Sequence, residues 1–226
     1  MSKLSVAILG DVHAPFLCKK SVSKAISIIR RERPKVVIQV GDLFDLYAFS
    51  KFPRSLNVMT PAQEIKAGRA MTEDLWKEIR QASGRGVECF QLLGNHDERL
   101  VKRVTEALPE IEGIASSGLW SFKGVQTMES ERDELIIDDV LYMHGYRKHG
   151  DHVKYNLMST VHGHDHLGGV VYLPIKGKIL FELSAGYLGN PKSAALSYTK
   201  QSRITKWTKG MGWIDDYGPR FIPFGG

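Results

Sequence analysis

Val6-Ala7-Ile8-Leu9-Gly10-Asp11-Val12-His13 is a four-residue apolar run that ends on a glycine, a carboxylate and an imidazole. A run of that length and composition reads as a buried strand. Ser21 to Arg31 then puts Val22, Ile26 and Ile29 on one helical face, and Pro34 closes the helix. Val36 to Val40 repeats the apolar run and ends in Gly41-Asp42-Leu43-Phe44-Asp45. Thr60-Pro61-Ala62-Gln63 has the form of a capping box with proline at the first helical position. The helix it opens turns Met71, Leu75, Ile79 and Ala82 inward and stops at Gly84 and Gly86. Val87 to Leu93 is a third strand, ending in Gly94-Asn95-His96-Asp97. Strand–helix alternation of this kind predicts parallel pairing with helices on the faces.

The second half changes character. Leu135-Ile136-Ile137 and Val140 to Met143 flank Asp138-Asp139, the signature of a tight hairpin. Gly169 to Pro174 and Lys178 to Leu183 flank Ile175-Lys176-Gly177, a second hairpin. The expected fold class is α/β: a two-sheet β-sandwich core flanked by helices, in a single domain over residues 1–226. The stretches 47–84 and 98–130 lie outside the expected strands and are candidates for rims or lids over a site.

Composition narrows the setting. The formal net charge is +6, unevenly spread. Residues 1–36 carry eight Lys/Arg against two acids, residues 147–226 eleven against five, and residues 114–146 two against six. Basic ends around an acidic middle suit an anionic partner. Cys18 and Cys89 lack metal-like spacing, are too few for a disulfide framework and are expected to be inert, so a cytoplasmic location is the expectation. The apolar run Val6–Leu9 is too short for a secretory signal, and nothing approaches the ~20 apolar residues of a membrane span.

The polar residues recur in one place. Asp11 and His13, Asp42 and Asp45, Asn95 and His96, His144, and His164 and His166 each follow an apolar run, usually beside a glycine. That edge of an α/β sheet is where ligands bind. In extended chain, residues i and i+2 point the same way, so Asp11 with His13, and His164 with His166, are expected to aim at one point. Asp11, His13, Asp42, Asn95, His144, His164 and His166 make seven candidate ligands, more than one metal needs. Two metals sharing a bridging carboxylate would use them. Carboxylate–imidazole sets suit Mn, Fe or Zn, and the lack of cysteine ligands argues against a closed structural zinc.

The five blocks Asp-x-His, Gly-Asp-x-x-Asp, Gly-Asn-His-Asp, His-Gly and Gly-His-x-His, in that order over residues 10–166, resemble the signature of the calcineurin-like metallophosphoesterase superfamily. The resemblance implies a first metal on Asp11, His13 and His166, a second on Asn95, His144 and His164, and Asp42 as the bridge. It implies that His96 faces the substrate without binding metal and that Asp45 orients it, with Asp97 as the rival for that role. The implied cofactors are two divalent ions, Mn first, with Fe, Zn, Ni or Mg as alternatives. Leu46-Tyr47 and Asp97 depart from the protein Ser/Thr phosphatase pattern, so the chain looks more like the small bacterial and bacteriophage phosphoesterases and the nuclease-type members.

The implied activity is hydrolysis of a phosphate ester by metal-activated water, with a phosphodiester of nucleic acid or a nucleotide as the first candidate substrate. A phosphomonoesterase is the runner-up and a non-catalytic scaffold the remote third. Basic residues with interleaved aromatics over Lys192–Lys209 could track DNA or RNA, or merely protect a sheet edge. His149, His152 and His162 match no block and read as hydrogen-bonded structural residues. Arg99 reads as a surface ion-pair partner, and Asp138 and Asp139 as turn formers.

Overall fold

The three apolar runs are strands β1 (Val6–Leu9), β2 (Val36–Val40) and β3 (Glu88–Leu92), paired in parallel with Val6 opposite Val36 and Val36 opposite Glu88. They belong to a computed structural model that describes residues 4–51, 59–108, 118–193, 195 and 201–225. Alternation along each strand explains why the runs are apolar throughout. Ala7, Leu9, Val37 and Cys89 pack against helices α1 (Lys19–Glu32) and α2 (Pro61–Ser83). Val6, Ile8, Val36, Ile38, Phe90 and Leu92 pack against the second sheet. Strands buried on both faces cannot alternate with polar residues. Each fully buried aliphatic or aromatic side chain contributes about 1.5–3 kcal/mol.

The helices obey their local signals. The Thr60 hydroxyl accepts the Gln63 backbone N–H, and the Gln63 side-chain Oε1 accepts the Thr60 N–H at 3.0 Å, which completes the capping box. Trp76 on α2 is 2% exposed and donates its indole N–H to Gln91 at 3.1 Å, so its polar atom is satisfied inside the core.

Among the described residues the second sheet runs β5 (Leu135–Ile137), β6 (Val140–Tyr142), β7 (Ser159–His162), β9 (Lys178–Ala185), β8 (Gly168–Ile175). Both expected hairpins form. Asp138-Asp139 has φ of 49° and 58°, and Lys176-Gly177 has 49° and 79°, the left-handed pairs a two-residue turn requires.

One expectation changes, and two strands are added that the sequence does not announce. The stretch 98–130 is not free of strands, because β4 (Gln126–Thr127) pairs with β3; α3 (Arg99–Ala107) also lies within it. The sheet also continues beyond residue 185. β10 (Gly210–Asp215) pairs antiparallel with β1, and β11 (Gly218–Pro223) pairs with β10. Glycines and prolines hide these strands, yet the glycine is needed: a Cβ on Gly210 would come within 2.2 Å of the Phe221 ring. Residues 52–58 and 109–117 of the two candidate rims, and 194 and 196–200 of the basic stretch, lie outside the described residues. No helix among the described residues is long and apolar enough to cross a membrane.

Candidate metal centre

β1, β2 and β3 are parallel, as are β6 and β7, so the loops leaving their carboxyl ends meet between the sheets. These loops carry Asp11 and His13, Asp42 and Asp45, Asn95 and His96, His144, and His164 and His166. The extended-chain expectation does not hold. Asp11, His13, Asp42, His164 and His166 have φ of 46°, 53°, 54°, 68° and 59°, all left-handed. Side chains other than glycine rarely accept this region, and each such residue costs roughly 1–3 kcal/mol. The ligands converge through tight turns rather than along a strand, because surrounding hydrogen bonds hold the turns. The N–H groups of Leu188 and Gly189 both reach the Asp11 carbonyl, and the His13 N–H reaches that of Asp42. Gly94 is equally constrained: a Cβ there would meet the Asp42 carboxylate at 2.2 Å.

The donor atoms form two sets. In the first, His13 Nε2 lies 3.2 Å from His166 Nε2, and His166 Nε2 lies 3.5 Å from Asp11 Oδ1. In the second, His164 Nδ1 lies 2.9 Å from Asn95 Oδ1 and 3.3 Å from His144 Nε2. Asp42 Oδ2 belongs to both, at 3.9 Å from His13 Nε2 and 3.4 Å from His144 Nε2. Ligands ~2.0–2.2 Å from one ion are separated by about 3–3.5 Å. The donor chemistry and spacing therefore fit a pair of divalent ions.

Around these sets the structure places further side chains, some of them in roles the sequence does not indicate. Asp45 Oδ2 takes a hydrogen bond from His13 Nδ1 at 3.1 Å, while His96 Nδ1 stands 3.7 Å from Asp45 Oδ1. Asp97 accepts the backbone N–H groups of Leu43, Phe44 and Gly94, which makes it a loop brace with its carboxylate engaged away from His96. Arg99 is not a surface residue. Its side chain is 12% exposed, donates to Asp45 Oδ1 at 3.1 Å and to the Asp45 carbonyl, and reaches His96 Nε2 at 2.9 Å. Tyr187 stacks on His166 with ring centroids 4.5 Å apart, and Trp207 meets the same ring edge-on at 4.3 Å. Trp207 belongs to the basic stretch, but no local motif ties it or Tyr187 to His166.

Electrostatics follows from burial and crowding. Burial pushes the Asp42 carboxyl up, but the imidazoles of His144 and His96 outweigh it and hold Asp42 well below the usual carboxylate range. Burial pulls His144 down, yet the Asp42 charge and hydrogen bond carry it up to about 10. Burial lowers His96 despite the Asp42 charge, and lowers His164 together with the His144 charge. Crowded carboxylates and imidazoles thus shift one another in opposed directions.

Two cavities open on the centre. One of about 270 Å³ is lined by Asn95 with Lys51, Arg99, Lys102 and Arg103. Another of about 480 Å³ is lined by Asn95, His144 and His164 with Arg132 and Tyr146. We assign the chemistry to these two, because a larger cavity of about 850 Å³ beside Trp120 touches none of the donor residues.

His149, His152 and His162 are hydrogen-bonded, as expected, but share one partner that the sequence does not advertise, Glu182. Its only signal is a lone acid within the apolar run of β9. Cys89 is buried, which raises its thiol to about 11. Cys18 departs from the inert expectation: burial raises its thiol, but hydrogen bonds from Ser21 and Lys209 outweigh this and bring it to about 7.

Comparison with known proteins places the chain. It is 26% identical to the Gene 54 protein of Mycobacterium phage L5, covering 100% of this chain and 95% of that one. Among solved structures, Yfce, a phosphoesterase from E. coli, aligns at 12% identity and a TM-score of 0.42, over 94% of this chain and 89% of its own. Vps29 from Entamoeba histolytica, as a single mutant, aligns at 12% identity and a TM-score of 0.45, over 98% and 100%. A family model for calcineurin-like phosphoesterases matches residues 4–173, which span every donor residue of both sets. The chain belongs to the calcineurin-like phosphoesterase family.

Proposed function

We propose that the chain is a dinuclear metal-dependent phosphodiesterase acting on nucleic acid or a nucleotide diester. The observation that carries the reading is Asp42 Oδ2, a single carboxylate oxygen facing both donor sets, 3.9 Å from His13 and 3.4 Å from His144. In this reading Asp11, His13 and His166 would hold one ion, Asn95, His144 and His164 the other, and Asp42 would serve both; Mn is the expected metal. When bound, two such ions supply Lewis-acid neutralisation at phosphorus and a lowered water pKa.

The chain's own residues do the rest. Asp45 fixes the His13 ring through its Nδ1, which keeps Nε2 directed at the first set. Arg99 and Lys51 line the cavity beside Asn95 and meet the anionic substrate there, while Lys102 and Arg103 in the same wall are paired with Glu98, Glu131 and Glu106. An arriving phosphate oxygen draws the Arg99 N–H away from His96 Nε2, which can then take up a proton from water, beside the hydrogen on Nδ1, and pass it to the leaving oxygen. Trp207, half-buried against His166, is the aromatic that would stack on a base, and a nucleic acid is preferred to a small monoester on that ground. Cys18 and Cys89 are both free thiols, in keeping with work in the cytoplasm.

The test is a substrate panel with Mn present: single- and double-stranded DNA and RNA, cyclic nucleotides, nucleoside monophosphates, and synthetic mono- and diesters. Diesters should turn over fastest, and exhaustive chelation should abolish all activity. Turnover by the metal-free protein, or a monoester preference, would overturn the reading.

A further inference from the structure

Away from the Asp42 centre, three side chains that the proposed reaction does not use meet in the second sheet. His149 lies in the loop before α4 (His152–Asn156), His162 ends β7, and Glu182 sits within β9. His162 Nε2 is 3.0 Å from Glu182 Oε1, His149 Nδ1 is 3.4 Å from the same oxygen, and the two nitrogens are 3.4 Å apart. A tetrahedral ion with ligands ~2.0–2.1 Å away has ligand–ligand edges of about 3.3 Å. The three atoms already describe one face of that tetrahedron.

The surrounding hydrogen bonds direct their lone pairs. His162 Nδ1 lies 2.8 Å from the Gly163 carbonyl, which can only accept, so Nδ1 carries hydrogen and the neutral ring turns a bare Nε2 toward Glu182. A bare nitrogen 3.0 Å from a carboxylate oxygen repels it unless a proton or a cation lies between them. His152 is not a fourth ligand. Its Nε2 accepts the N–H groups of Tyr146 and Arg147 at 3.3 and 3.1 Å, so its Nδ1 donates to Glu182 Oε1 at 3.2 Å. The Val153 N–H holds the other carboxylate oxygen at 2.9 Å, and the Gly150 N–H reaches Oε1. Such outer partners orient ligands around an ion. Glu182 is 0% exposed, and a buried carboxylate demands a compensating charge. His149 is the open side of the cluster, with 19% of its side chain exposed.

We propose that His149, His162 and Glu182 bind a third divalent cation of the zinc class, separate from the pair at Asp42. Two imidazoles and one carboxylate favour zinc or cobalt over magnesium or calcium. The ion ties the loop that follows His144 to β7, the strand that leads into His164, and so braces two residues of the second donor set from behind.

Cobalt binding to the whole chain tests this, read by equilibrium dialysis and visible absorption. His149→Ala should bind one equivalent fewer than the unsubstituted protein and lose the intense bands of tetrahedral cobalt, with its far-ultraviolet circular dichroism unchanged. That difference of one is independent of whether the Asp42 centre fills. Equal stoichiometry and equal spectra in the two proteins overturn the proposal and leave a proton on His162 as the partner of Glu182. A crystal of the unsubstituted chain soaked in zinc tests the site without any substitution: anomalous density between His149 and Glu182 supports it, and its absence there refutes it.

Discussion

The Arg99 guanidinium places Nη2 2.9 Å from Nε2 of His96. A guanidinium only donates, so Nε2 accepts and the neutral His96 ring carries its hydrogen on Nδ1. That hydrogen finds no hydrogen-bond acceptor among the described residues, with Asp45 Oδ1 3.7 Å away. His96 is therefore held in a tautomer unsuited to donating from Nε2 until something draws Arg99 aside. Burial, the leading cause, lowers its pKa in the same sense.

Arg99→Gln removes the cation that the arriving phosphate meets and should reduce kcat/KM for a diester by roughly 10–10²-fold, the equivalent of one charge-assisted hydrogen bond of ~1.5–3 kcal/mol. Metal content should not change, and the His96 pKa followed by imidazole NMR should rise once the neighbouring cation is gone. Unaltered kinetics and an unmoved His96 titration would reduce Arg99 to a brace for the Asp45 loop.

Asp42 and His96 should separate metal holding from chemistry. Asp42→Ala removes the oxygen common to both donor sets and should cost metal occupancy and rate together. His96→Ala should keep both ions and lose ~10²–10⁴-fold in rate, the range of a general acid or base. Elemental analysis decides, since an empty centre in His96→Ala contradicts its placement off the metals.

Metal loading should release protons. In the metal-free chain the Asp42 charge, acting against burial, lifts His144 to about 10, so this ring stays protonated through neutral pH. Ligation requires the neutral ring, so the proton must leave, and apparent affinity should rise by about tenfold per pH unit for each proton displaced. The sign is fixed: acid weakens binding, alkali strengthens it up to that pKa. An indicator dye at pH 7 should register proton release as Mn is added, and no release would contradict the charged state of His144.

The basic stretch should act on polymers alone. Lys209 is engaged with the Cys18 sulfur at 3.0 Å, so three of the four other basic residues of the stretch, Lys192, Lys200 and Lys206, are chosen for replacement. Changing these three to Gln should weaken oligonucleotide cleavage and reduce the logarithmic salt slope by ~0.7–0.9 for each phosphate no longer neutralised. Turnover of a small synthetic diester should stay the same. Equal loss on both substrates would point to damaged folding, and no loss on either would make a small molecule the leading substrate.

The parallel strands β1, β2 and β3, the capped helix at Thr60, both hairpins and the five polar blocks were readable in the sequence, because burial periodicity and turn chemistry act between near neighbours. The family resemblance in those blocks needed no coordinates either. Tertiary structure alone decided the rest. It turned Asp11, His13, Asp42, His164 and His166 into left-handed conformations that local preference disfavours and only surrounding contacts can hold. It brought Arg99 onto Asp45 and Trp207 onto His166, and drew three histidines around Glu182. Each of those pairings joins residues far apart in the chain, and a buried charge is recorded in the sequence only as one acid in an apolar run. Its partners exist only after the two sheets have closed and water has left, when an unpaired carboxylate becomes too costly to keep.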